Sequence, residues 1–289
     1  MAAFEIGLLH PGAMGARVAE QAAANGAIVW WLPEGRSAQS RARAAEAGLR
    51  DAGSLKQLAE RCQIILSVCP PANALEVARS VAALDFAGIY ADLNAISPAN
   101  AASIATLFAD PSSVVDGGIV GGPPHRPGET RLYLSGPGAA AERVRALFEA
   151  TALEPHVLAG DVGRASALKL AFASFNKISY VLAVQAYALA SGHGVLDELL
   201  ELAEHAVPGT ALARPDQVAG AGPRAWRWAP EMHEIAEACD AVGAPAAIAR
   251  AAADVFEHWH ALKGADSVSV RRLLDELGVN SADDPDNML

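Results

Sequence analysis

Along the first half of the chain, short apolar runs rich in β-branched and aromatic residues alternate with glycine turns and alanine-rich stretches of helical spacing. The apolar runs predict strands over 4–9, 27–32, 64–68, 88–93 and 114–116, and the alanine-rich stretches predict helices over 13–25, 37–47, 72–84 and 98–108. Such alternation builds a parallel sheet with helices on both faces, an α/β doubly wound domain. A strand over 131–135, a helix over 138–151 and a short strand over 156–158 complete that half.

After Gly163 the beat changes. From Ala165 the helical period dominates, and the first helix runs some 25 residues to the Ser191-Gly192-His193-Gly194 stop, well beyond the ordinary length of about 11–12. Such a helix is long enough to cross a domain or subunit boundary. Further helices are predicted over 196–206, 230–242, 245–261 and 268–277, with a frayed acidic end over 281–289. The expected division is an α/β domain over 1–163 and a helical domain over 164–289.

The 289 residues are 52% apolar and 19% charged, enough for two cored domains. A net charge of −11, with no run of Lys or Arg, disfavours nucleic acid and anionic membranes as partners. The most apolar segment, 165–190, carries two lysines, three serines, Asn176 and Gln185, and is expected to be a buried helix of a soluble protein. The start lacks a basic region before its apolar run. Three cysteines, Cys62, Cys69 and Cys239, match no metal or redox spacing. Both features lead to the expectation of a cytoplasmic protein with reduced thiols, and the histidines show no metal-ligand spacing.

The first chemical signal is His10-Pro11-Gly12-Ala13-Met14-Gly15, between the first strand and first helix. It is a dinucleotide fingerprint with His10 in place of the first glycine: Gly12 admits a pyrophosphate, Gly15 admits close helix–strand packing, and the free helix N–H groups hold the anion. At the end of the second strand, Arg36 can fork onto a 2′-phosphate, Ser37 can add a hydroxyl, and Arg41 lies a turn further on, so NADP(H) is expected over NAD despite Glu34. Val68, Cys69, Pro70 and Asn94, at later strand ends, complete the expected cofactor contacts.

With these motifs in hand, the chain resembles the β-hydroxyacid dehydrogenase superfamily, which includes 6-phosphogluconate and 3-hydroxyisobutyrate dehydrogenases and the related imine reductases. The resemblance rests on the stretch Gly7 to Gly15, the Arg36-Ser37 pair, Asp116-Gly-Gly-Ile-Val-Gly-Gly122, and the helix start Gly163-Arg-Ala-Ser-Ala-Leu-Lys169. Gly121-Gly-Pro-Pro124 and Arg224-Ala-Trp-Arg-Trp228 are similar to the 6-phosphogluconate-dehydrogenase-like branch. The resemblance implies a Rossmann domain, a long interdomain helix, a helical second domain, and an intertwined homodimer with a shared cleft. It also implies that Lys169 is the catalytic acid and base. Two positions depart from the family: Ala173 stands where an Asn is usual, and Val120 where a Ser precedes Gly121-Gly122.

At about 100° per residue, Ser166, Lys169, Asn176, Lys177 and Tyr180 share one polar stripe of the long helix, while Leu168, Leu170, Phe172, Phe175, Ile178, Val181 and Leu182 are expected to be packed. A second lysine two turns away lowers the pKa of the first. Lys169, Asn176 and Lys177 are therefore the catalytic candidates. Val120, Gly121, Gly122 and His233 are the substrate-contact candidates. Trp226, Trp228, Arg224 and Arg227 can clamp an aromatic or anionic group or pack at a dimer seam. The expected function is NADP-dependent hydride transfer at a carbonyl or alcohol carbon of a small hydroxy- or keto-acid-like metabolite. Imine reduction on the same scaffold, and NADPH binding without catalysis, are the alternatives.

Overall fold

Contacts within the chain divide it into two units, Met1–Leu170 and Ala171–Leu289. The computed structural model describes residues 4–279, so the expected fraying of 281–289 lies outside the described residues.

In the first unit the apolar runs become strands of one sheet: β1 (Glu5–Leu8), β2 (Ile28–Trp31), β3 (Arg50–Asp51), β4 (Ile64–Ser67), β5 (Ile89–Asp92), β6 (Val114–Val120), β7 (Thr130–Ser135) and β8 (Leu153–Val157). Between them lie α1 (Ala13–Ala24), α2 (Ala38–Glu46), α3 (Leu55–Arg61), α4 (Ala74–Ala82), α5 (Pro98–Ala105) and α6 (Gly138–Ala146). The strand order is β3-β2-β1-β4-β5-β6-β7-β8. The pairs from β3 across to β6 are parallel, β7 runs antiparallel to β6, and β8 runs parallel to β7. Because the chain winds one way from β1 to β2 and the other way to β4, the sheet has its switch point between β1 and β4, where such folds bind ligands at the strands' carboxyl ends.

Each face of the sheet has its own core. Val18, Ala19 and Ala22 of α1 and Ala141 and Val144 of α6 cover Ile6, Leu66 and Val115 on one side. Leu58 of α3, Ala78 and Val81 of α4, and Ala101 and Ile104 of α5 cover Leu9, Ile65 and Tyr90 on the other. Serine caps start three of these helices: Ser37, Ser54 and Ser97 accept from the backbone N–H of Ser40, Gln57 and Asn100.

Several elements differ from the sequence reading. β6 was expected to stop at Asp116, before two glycines, yet it continues to Val120 because residues 116–120 pair antiparallel with β7. The two-residue β3 and the polar α3 were not anticipated: Leu58 is the one buried residue of α3, too little apolar periodicity to show.

A further difference concerns α7 (Arg164–Gly192), 29 residues long, which starts in the first unit and continues into the second. By length and composition it is apolar enough to cross a membrane, with a mean hydropathy of 1.3 over an 18-residue window. Only 22% of that window is buried, which corrects the expectation of a buried helix. Leu170 is covered, but Phe172 is 52% and Phe175 80% exposed, and Leu168 and Leu182 are also exposed. A single chain leaves one apolar side of this helix in the open.

The second unit is helical throughout its described residues. After α7 come α8 (Leu196–Ala206), α9 (Pro215–Ala219), α10 (Ala225–Ala241), α11 (Ala247–His258) and α12 (Val270–Glu276). Met232 and Ile235 of α10, Phe256 of α11 and Leu273 and Leu274 of α12 are buried, and the Trp259 indole donates to the Leu273 carbonyl at 3.1 Å. α10 starts five residues before Pro230, the expected first position, and carries that proline inside it.

Candidate functional site

The glycine loop follows β1 at the switch point. A Cβ on Gly15 would run into the His10 carbonyl oxygen, whereas one on Gly12 would meet nothing within 4 Å. Gly15 thus lets the start of α1 close on the end of β1, and Gly12 leaves the approach to the helix N-terminus open. Pro11 is buried and Met14 half-buried, while Ala13 is exposed at the first helical position. Val68 lies against Gly15 from the end of β4.

His10 and Arg36 face each other electrostatically beside this loop. Burial and the Arg36 charge hold the His10 imidazole down at about 4, so the ring is neutral at pH 7. Burial also lowers the Arg36 guanidinium from its ordinary range. The His10 Nδ1 and Arg36 Nε atoms are buried and have no hydrogen-bond partner among the described residues. Buried polar atoms are nearly always satisfied; an open glycine loop beside two that are not fits a phosphate-bearing dinucleotide. Ser37 is occupied as the cap of α2, and Arg41 ties its guanidinium to the Pro33 carbonyl at 2.8 Å.

Across the switch point, a polar network joins the ends of β4 and β5. The Cys69 N–H donates to Asn94 Oδ1 at 2.6 Å, and Asn94 Nδ2 donates to Ser67 Oγ at 3.1 Å and to Asp92 Oδ2 at 2.9 Å. Asp92 is 2% exposed. Burial pushes its carboxyl up to about 7, with the Asp116 charge adding to the shift and the Asn94 bonds and the Lys169 charge opposing it. The Cys69 thiol is pushed up to about 12, chiefly by burial, and stays protonated. Pro70 is exposed just beyond.

Asp116, level with Asp92 across the β5–β6 ladder, anchors the start of α7. Its Oδ2 accepts from Ser135 Oγ at 2.9 Å and from the backbone N–H groups of Gly163 and Ser166 at 3.0 Å, and its Oδ1 accepts from Ser166 Oγ at 2.5 Å. A buried carboxylate thus satisfies orphan donors of a helix N-terminus and complements its dipole. Gly118 then lets the helix touch the sheet, since a Cβ there would lie 2.9 Å from both the Ala165 carbonyl oxygen and Lys169 Cβ. The outcome is a half-buried Lys169 above β6, close enough for its charge to act on Asp92.

The remaining sequence candidates stand differently. Val120 is half-buried at the end of β6, and Gly121 and Gly122 form the exposed turn after it, with the Gly122 carbonyl accepting from Thr130 Oγ1 at 2.8 Å. Ala173 is buried. In the second unit, Asn176 is exposed, His233 faces Glu257 at 3.5 Å, and Lys177 is ion-paired with Glu231. That carboxylate corrects the picture of Lys177 as a bare like charge beside Lys169. Among the described residues no group of three or more His, Cys, Asp or Glu is placed to hold a metal ion.

Sequence reasoning passed over Asp92, Asp116, Ser67 and Ser135. The available signal was an acid within each of two strands that are otherwise apolar, an expensive placement unless the carboxylate has a task.

Residues 5–160 match the family described as the NAD binding domain of 6-phosphogluconate dehydrogenase. Residues 190–259 match a domain of unknown function (DUF1932). The uncharacterized 28.5 kDa protein in the 7S RNA 5′ region of Methanothermus fervidus is 28% identical over 171 residues, 59% of this chain. That match spans 65% of the relative's own length. The 3-hydroxyisobutyrate dehydrogenase of Mycobacterium tuberculosis, solved with L-serine, shares the fold at a TM-score of 0.71 and 18% identity, over 95% of this chain and 99% of that one. A reductive aminase from Aspergillus terreus, in complex with NADPH and ethyl-5-oxohexanoate, shares it at a TM-score of 0.58 and 18% identity, over 96% and 100% of the two chains.

Proposed function

Because the chain belongs to the family of the NAD binding domain of 6-phosphogluconate dehydrogenase, we propose that it is an NADP-dependent oxidoreductase acting on a carbonyl or alcohol carbon of a small hydroxy- or keto-acid-like metabolite. A nicotinamide dinucleotide whose pyrophosphate sits at the glycine loop would supply or take the hydride. Gly12, Gly15 and the start of α1 would hold the pyrophosphate, and Arg36 the 2′-phosphate.

The observation that carries the reading is the placement of Lys169 over β6 by Gly118 and the Asp116 anchor. On reduction, Lys169 Nζ gives a proton to the oxygen of the nascent alkoxide; on oxidation, the neutral amine accepts the hydroxyl proton. Asp92, whose carboxyl burial raises to about 7, lies close enough to feel the charge of the lysine. Imine reduction is the second reading, favoured by the apolar Val120 and Ala173 where the superfamily places polar groups.

The test is steady-state turnover with NADPH and NADH on a panel of small keto and hydroxy acids and cyclic imines, for wild type, Lys169→Ala and Arg36→Ala. Lys169→Ala is expected to lower turnover about 10²- to 10⁴-fold at unchanged NADPH affinity. Arg36→Ala is expected to erase a preference for NADPH of at least about tenfold, since a charge-assisted phosphate contact contributes about 1.5–3 kcal/mol. Turnover of Lys169→Ala comparable to wild type makes the lysine structural, and turnover on imines alone favours the second reading.

A further inference from the structure

The glycine loop carries one side chain to which hydride transfer gives no task. His10 stands where the dinucleotide fingerprint has its first glycine, so an imidazole occupies a point at which the chain usually carries no side chain. The residue is half-buried, and its Nδ1 is buried without a hydrogen-bond partner among the described residues. Packing alone does not account for this, because a buried ring nitrogen is ordinarily satisfied.

Arg36, in the turn after β2, is in the same condition. It too is half-buried with a buried, unpartnered Nε, and its charge reaches the imidazole. Two nitrogen-bearing side chains thus meet from the loops after β1 and β2, and each keeps one buried atom unused. Burial and the Arg36 charge, the one charged group acting on the ring among the described residues, hold His10 neutral down to about 4. Cys69 faces Arg36 from beyond β4 and keeps its thiol proton up to about 12, so it adds no charge there.

A phosphate monoester carries about −1.5 to −2 charge at pH 7 and three acceptor oxygens. Beside Arg36 it would outweigh the guanidinium and turn the field at the imidazole from one that expels a proton to one that holds it. We propose that His10 is a second reader of the cofactor's 2′-phosphate, its Nδ1–H donating to that group beside Arg36 and the imidazole taking up a proton from solvent as the phosphate binds. The proton returns to solvent on release, and only hydrogen bonds form and break. The inference rests on the reading of this loop as an NADP site and adds to it a pH-dependent choice between NADP and NAD. Between about 4 and the raised value in the complex, binding takes up a proton, so affinity for NADP falls as pH rises through that window. The phosphate's own proton, lost at about pH 6, pulls the other way and is common to wild type and variants.

The experiment is calorimetric titration of the full chain with NADP+ and NAD+ at pH 6.5 and 8.5, each in two buffers of different ionisation heat, which counts the protons taken up. Wild type is expected to bind NADP+ at least about threefold more tightly at pH 6.5 than at pH 8.5, with net proton uptake, and NAD+ equally at both. His10→Gly, which restores the glycine of the fingerprint, is expected to lose the uptake and the pH dependence while keeping the preference for NADP+ that Arg36 supplies at pH 8.5. His10→Gln, which can donate but not titrate, is expected to lose the uptake as well. The wild-type proton count stands even if a variant fails to fold. A wild type that prefers NADP+ without taking up a proton, or uptake unchanged in both variants, overturns the inference and leaves the proposed function standing. No binding of NADP+, or equal binding of NAD+ at both pH values, overturns the two together.

Discussion

Asp92 is an acid that the surrounding protein would rather keep protonated. In the unfolded chain its carboxyl titrates near the ordinary value of about 4, and in the folded chain burial raises it to about 7. Below pH 4 both states hold the proton. Between pH 4 and 7 the unfolded chain loses it while the folded chain keeps it, so this group's contribution to stability falls as pH rises and is gone above about 7. Asp92→Asn removes the titration. Urea denaturation of the two proteins should show wild type losing stability relative to the variant by on the order of 1–4 kcal/mol between pH 4.5 and 7.5, then a constant gap. A gap that does not vary with pH assigns Asp92 an ordinary carboxyl. At this scale the sequence was partly legible: Gly12, Gly15 and Arg36 are named by their motif, because backbone approach and charge are local properties. Asp92 and Asp116 were not, because what covers a carboxylate is decided by segments far away, such as Ser135 and Ser166 over Asp116.

The elements show the same division between local and distant causes. Strands β1, β2, β4 and β5 and helices α1, α2, α4 and α5 are written in their own apolar periods and turn residues, and the sequence places them well. The run of β6 through Gly117 and Gly118 is not, because its reason is the neighbouring strand β7 and the helix α7 lying on top. Substituting Gly118→Ala tests that packing directly. The added methyl would crowd the Ala165 carbonyl and Lys169 Cβ, so the start of α7 must lift from β6. The expected cost is about 1–3 kcal/mol of stability, together with a fall in turnover at unchanged NADPH affinity, since the glycine loop after β1 is untouched. Stability and turnover equal to wild type would mean that the helix has slack against the sheet.

For the whole molecule, the open face of α7 is the main unsettled surface. Phe172, Phe175, Leu182 and Leu189 stand in solvent on one helix of an acidic chain, a larger apolar exposure than a lone globule ordinarily keeps. A homodimer that covers them is the expected state, with an interface above about 2,000 Å² in total. Light scattering at micromolar concentration should give twice the chain mass, and Phe175→Glu should shift it towards the monomer; a wild-type monomer rules the dimer out. The anchoring of α7 has a further consequence, for the order in which the protein is made. Among the described residues, the hydrogen-bond partners of Asp116 and the atoms nearest Gly118 come from residues up to Lys169. The sheet can therefore capture its capping helix turn while the ribosome is still translating the remainder of the chain, and the lysine is set in position before the second unit exists.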